Sequence, residues 1–175
     1  MTQTERTIHP FIQHLYTVAQ REDRRILAAL RRGLGKAPGA APEMFPHVVP
    51  WLPGDLYRQD EIAYYTIASL FAYHPKVTAS GNMGDHLVAA QTTGREDALE
   101  RRFVALLSAH SDDLPNILRQ SVSFLASKEI PINWDALFRD IRLWGHPIRG
   151  EDVRKSWATS FWRYRTTNTD QAQSE

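Results

Sequence analysis

The stretch DALERRFVALLSAH, Asp97–His110, reads as one amphipathic helix carrying two adjacent arginines in its middle. At about 100° per residue, Leu99, Phe103, Leu106, Leu107 and His110 gather on one side. Arg101 points nearly the opposite way, and Arg102 falls at the border. Two uses of the pair stay open within this stretch. One is a solvated face whose arginine stems cover apolar surface; the other is a contact to backbone phosphate.

Working outward, the flanking segments carry the same helical period. Towards the N-terminus, Ile8, Phe11, Ile12, Leu15, Tyr16 and Ala19 give a first helix with Pro10 in its opening turn. Asp23 can cap a second, whose apolar positions Ile26, Leu27, Leu30 and Leu34 run out at Gly33 and Gly35. Five prolines then fill Gly35–Pro53, which predicts a wrapped loop pinned by Phe45, Val48, Val49, Trp51 and Leu52. A third helix over Asp60–Tyr73 is apolar over a wide arc, so most of it should be buried; His74-Pro75 ends it. A short helix, Asp85–Ala90, lies between two flexible stretches in the Gly81–Gly94 region.

Towards the C-terminus, Leu114–Lys128 has Asp113 as its N-cap and Pro115 in its first turn, Trp134–Trp144 is capped by Asn133, and a last helix spans about Asp152–Tyr164. No alternating strand of more than a few residues, no repeat and no coiled-coil heptad is present. The expectation is an all-α, elongated protein of about eight or nine helices. It divides into an N-terminal bundle over 1–80, a C-terminal bundle over 81–165 and a disordered polar tail over 166–175.

The totals bound what such a protein does. Of 175 residues, 42% are hydrophobic, enough for one sizeable core or two small ones. A net charge of +1, from 21 Lys plus Arg against 20 Asp plus Glu, means that any polyanion must meet a local patch. The N-terminus lacks an export pattern and no stretch approaches the ~20 apolar residues of a membrane span, so a soluble cytoplasmic protein is expected. With no cysteine, disulfides, thiolate catalysis and zinc-thiolate sites are excluded.

Catalytic patterns find little support. The seven histidines follow no ligand spacing such as HExxH and read as loop and helix-end residues, so no metal and no cofactor is expected. The glycine-rich GLGKAPG at Gly33–Gly39 follows a helix rather than a strand and lacks the GK[ST] ending of a phosphate loop. The acidic pairs Glu96-Asp97 and Asp112-Asp113 precede helices, where the dipole accounts for them. There is no GxSxG nucleophile turn, and no small-molecule substrate is indicated.

Basic residues, by contrast, cluster: Arg21 to Lys36 around the second helix, Arg101, Arg102 and Arg119 centrally, and Arg139 to Arg165 near the end. Arginine dominates over lysine, which suits forked contacts to phosphate oxygens. On the last helix Trp162 is expected to project outward beside Lys155, to stack on a base or meet a partner.

Four segments together resemble the CasB family, the small subunit of the type I-E Cascade complex of CRISPR interference. They are ALRRGLG at Ala29–Gly35, the Trp51 segment leading into EIAYYTIASLFAYHP at Glu61–Pro75, ERRFVALLSAHSDDLPNILRQSVSFL at Glu100–Leu125, and INWDALFRDIRLWG at Ile132–Gly145. The resemblance implies an all-α, non-catalytic subunit that sits as a pair beside guide-RNA-bearing backbone subunits and the large subunit. It also implies a basic surface that holds crRNA-paired target DNA's displaced non-target strand and stabilises the R-loop. Carried over position by position, the implied nucleic-acid contacts are Arg31, Arg32, Arg58, Arg101, Arg102, Arg119 and Arg142, with Lys128 joined by its place at a helix end. The competing expectation is a helical adaptor whose arginines meet acidic protein partners. A sequence-reading helix-turn-helix regulator and a hydrolase are further alternatives.

Overall fold

The computed structural model describes residues 7–55 and 57–172, with side chains through Arg163. It is all-α: nine α-helices and no strand occur among the described residues, apart from one isolated bridge between Val77 and Ile132. In order they are α1 (Pro10–Gln20), α2 (Arg24–Arg31), α3 (Phe45–Val48), α4 (Arg58–Tyr73), α5 (Met83–Ala89), α6 (Glu96–Leu107), α7 (Leu114–Ser127), α8 (Trp134–Leu143) and α9 (Arg149–Ala172).

Helix α4 is the centre of the molecule. Every residue from Ala63 to Ala72 is buried, so the helix is covered on all sides, as its apolar sequence requires. It packs against α1, α2, α3, α7 and α8, and the buried side chains on both sides of residue 80 form one hydrophobic cluster. Its end at Tyr73 follows from His74-Pro75, because a proline disfavours helical backbone in the residue before it.

Several ends are set by side chains the sequence singles out. Asp23 accepts from the Ile26 N–H at 3.1 Å to start α2, and Asn133 accepts from the Ala136 N–H at 3.1 Å to start α8. Helix α1 opens on His9, whose ring nitrogen accepts from the Phe11 N–H and whose own backbone N–H donates to Asp135.

The proline-rich segment departs from a plain loop. Pro42, Pro46 and Pro50 each sit in the first turn of a short helical piece: the 3₁₀ turn Pro42–Met44, then α3, then the 3₁₀ turn Val49–Trp51. Each missing N–H falls where a helix has no internal partner for it, so the prolines start turns as readily as they stop them. Helix α6 is also shorter than its periodicity suggests. It stops at Leu107, the His110 carbonyl accepts from Asp113 and Leu114, and the His110 side chain is exposed, not core-facing. Helix α9 is longer, and the expected tail is helical from Thr166 to Ala172. Residues 173–175 and the side chains of Tyr164 and Arg165 lie outside the described residues.

Helix α5 packs chiefly against α9. A Cβ on Gly84 would lie 2.1 Å from the Trp157 carbonyl oxygen, so α5 meets α9 at a distance only glycine allows. The Asn82 amide, which also caps α5, donates to the Ser160 hydroxyl at 2.9 Å. On the other side His86 is buried within α5, not at a loop or helix end. Its Nε2 accepts from the Asn133 N–H at 3.0 Å, and burial pushes its pKa down to about 4.

Candidate nucleic-acid interface

Helix α6 turns Leu99, Phe103 and Leu106 into the core, and α7 does the same with Leu114, Leu118, Val122 and Leu125. What remains between the two helices is an open groove of about 1300 Å³. Its width follows from small side chains on the α6 wall, Ala98 and Ala105, one above the other two turns apart. Arg101, Arg102 and Arg119 all line it, with Gln120, Ser123 and Ser127 as hydrogen-bonding groups and Phe124 on the α7 wall.

The groove continues at both ends. Past Arg102 and Phe124 a second depression of about 450 Å³ adds Arg95 and Lys128. At the other end Arg119 reaches the Gly33–Gly39 loop, where its Nη1 lies 2.9 Å from the place a Gly35 Cβ would take. Gly35 adopts φ +74°, a backbone conformation that favours glycine, and the Arg119 guanidinium passes close beside it. Lys36 lines the same crevice. Five helix-borne or helix-flanking cations thus share one connected surface: Arg95, Arg101, Arg102, Arg119 and Lys128.

Arg101 and Arg102 are both exposed. Arg101 also borders a shallow site with Asp97 and Glu100, while the Arg102 guanidinium lies over the Phe124 ring, 5.2 Å from its centre. The latter is a cation–π contact that fixes the side chain against the groove wall.

The other expected contacts are placed elsewhere. Arg31 donates through Nε to the Ala72 carbonyl at 2.8 Å, at the C-terminal end of α4; Arg32 is exposed at the end of α2. Arg58 is exposed at the first position of α4, roughly 20 Å from that end at 1.5 Å per residue. Arg142 is ion-paired with Asp60 at 2.6 Å and lies over the Phe138 ring at 5.4 Å, which makes it an internal tie between α4 and α8. A single strip through all eight positions is therefore not what the fold presents.

Part of the C-terminal basic cluster is also turned inward, whereas Arg149, Lys155 and Arg163 stay exposed. Arg139 pairs with the buried Asp135, and Arg154 donates to the carbonyls of Leu107 and Trp144 while lying 4.2 Å from the Trp144 ring centre. Trp162, expected outward, is half-buried against Phe103 and Phe161. Arg95 escapes a reading of the sequence because it falls in a stretch expected to be flexible; α6 starts immediately after it. Among the described residues no group of three or more His, Asp or Glu is placed to hold a metal ion, and no helix is long and apolar enough to cross a membrane.

Fold and groove together define a class: a small all-α protein with an arginine-rimmed channel between two helices. The family description CRISPR-associated protein Cse2 matches residues 26–162. A CRISPR-associated protein Cse2 from Thermus thermophilus is 33% identical over 144 residues, covering 77% of each chain. The chain belongs to the CRISPR-associated Cse2 family. Among solved structures, a Cse2-family protein from Thermus thermophilus superposes with a TM-score of 0.76 at 30% identity, covering 87% of this chain and 95% of its own. CasB from M. ruber gives 0.75 at 27% identity, covering 97% and 100%. A chain of a CRISPR RNA-guided surveillance complex gives 0.73 at 28% identity, covering 93% and 99%.

Proposed function

We propose that this protein is a non-catalytic small subunit of a crRNA-guided surveillance complex, Cascade, in CRISPR antiviral defence in the cytoplasm. It holds the displaced non-target DNA strand in the α6–α7 groove and so stabilises the R-loop. The observation that carries the reading is the convergence of Arg101, Arg102, Arg119, Arg95 and Lys128 on one channel in a protein whose net charge is only +1. Family membership and the likeness to a surveillance-complex chain support the assembly. R-loop formation exchanges one duplex for another of similar stability, so a few sequence-independent phosphate contacts suffice to tip it.

Within that assembly the partners are the guide-RNA backbone subunits, the large subunit and a second copy of this chain. Arg31, Arg32, Arg58 and Arg142 lie off the groove, and their part in nucleic-acid contact is secondary. Tyr57 and Ile148, exposed at 78% and 70%, favour the adaptor role for the surfaces around them: bare apolar groups of this size suit protein contacts, not phosphate.

The test is the assembled complex carrying Arg101→Glu with Arg102→Glu. Retention of the non-target strand should fall on the order of tenfold or more, the salt dependence of capture should flatten, and assembly should be unchanged. Loss of assembly with normal strand capture by what does assemble would make the groove a protein interface instead.

A further inference from the structure

The groove is more than a line of charges. Phosphate alone would be served by arginines on a flat polar surface, yet this channel has an apolar wall, with Ile117 and Phe124 on α7 and Leu87 behind them. Phe124 is only half-buried and faces both the main groove and the depression beyond it. Lying over its ring is the Arg102 guanidinium, whose contact on this wall is an aromatic group. A guanidinium is planar and weakly hydrated on its faces, so one laid on a ring presents its other face as a second stacking surface.

We infer that Arg102 and Phe124 form a stacking platform for an unpaired nucleobase of the strand in the groove. The inference rests on the reading of the groove as a single-strand channel and adds what that reading lacks, a seat for the base beside seats for the phosphates. Arg101, one residue along α6 and on the opposite flank from the core, and Arg119, across on α7, neutralise the backbone on either side. Gln120 and Ser123 lie within the same wall and offer hydrogen bonds to a base edge without selecting one base, so the site is sequence-tolerant; the Ser127 hydroxyl donates to the Phe124 carbonyl. A duplex, whose bases are already stacked on one another, gains nothing from such a seat.

The experiment compares, by fluorescence anisotropy at low salt with the full chain, a labelled oligothymidylate and an abasic strand of the same length and charge. The base-bearing strand should bind about tenfold tighter, the range that one base on an aromatic support contributes. Arg102→Lys keeps the charge and removes the plane; Phe124→Leu keeps apolar bulk and removes the ring. Each should abolish most of the tenfold preference while leaving the slope of affinity against salt unchanged, and Arg101→Ala should do the reverse. Arg102 is exposed, so its variant tests the platform even where Phe124→Leu fails to fold. Equal binding of the two strands by the unaltered protein overturns the platform and leaves the phosphate channel standing, as does a preference that survives both variants. Absence of binding to either strand, with normal folding by circular dichroism, overturns the channel itself and the platform with it.

Discussion

Two arginine-rich regions of this protein have similar compositions and opposite fates. On α6 and α7, Arg101, Arg102 and Arg119 line an open groove. On α8 and α9, Arg139, Arg142 and Arg154 are consumed by Asp135, by Asp60 and by the carbonyls of Leu107 and Trp144. The difference lies in what stands within reach. Helix α8 and the helix facing it supply carboxylates and a helix end whose last carbonyls need donors, whereas the wall opposite Arg101 and Arg102 supplies amide, hydroxyl and aromatic groups. A count of arginines therefore measures nothing about binding until their partners are known.

That contrast can be broken in order of effect. The largest comes from acid, at the joint between the two regions. His86 on α5 is held neutral with a pKa of about 4, while in the unfolded chain it takes up a proton near 6.5. The unfolded state thus binds the proton first as pH falls, and stability present above 6.5 is lost progressively down to about 4, by on the order of 3 kcal/mol. The lowered pKa values of His9 and His14, both set first by burial, act in the same direction. Urea titrations at neutral pH and near pH 4.5 measure the loss, and a His86→Gln variant should shrink it.

Next comes Arg154→Ala. It strips donors from two carbonyls and removes the cation from Trp144, and should cost about 2 kcal/mol in denaturant unfolding while leaving strand affinity alone. The smallest stability effect belongs to Arg101→Ala, within about 0.5 kcal/mol, because the residue is exposed at the groove rim. A measured loss of about 2 kcal/mol there would place Arg101 with the structural arginines and erase the distinction.

Much of this molecule is legible in its sequence where the cause is local. The caps at Asp23 and Asn133, the stop at His74-Pro75 and the burial of α4 all follow from residues within a turn or two of the feature. The outward position of Arg101 on its helix is legible as well, through helical spacing. What is illegible depends on distant partners. Nothing near Arg142 announces Asp60, which is 82 positions away, and nothing near Arg154 announces the Leu107 carbonyl, 47 positions away. Trp162 reads as outward from its own helix, but α6 brings Phe103 against it. The short helices between Pro42 and Trp51 are hidden for another reason: proline reads as a breaker, and at a first turn it is a starter.

The glycine contact between α5 and α9 carries a consequence for synthesis. Asn82 and Ser160, its flanking hydrogen-bond partners, are 78 positions apart in the chain. As the polypeptide leaves the ribosome, α5 emerges long before the helix that covers Gly84, and its apolar face waits through the making of α6, α7 and α8. Closure of the molecule is thus a late event in its birth, timed by the arrival of Trp157.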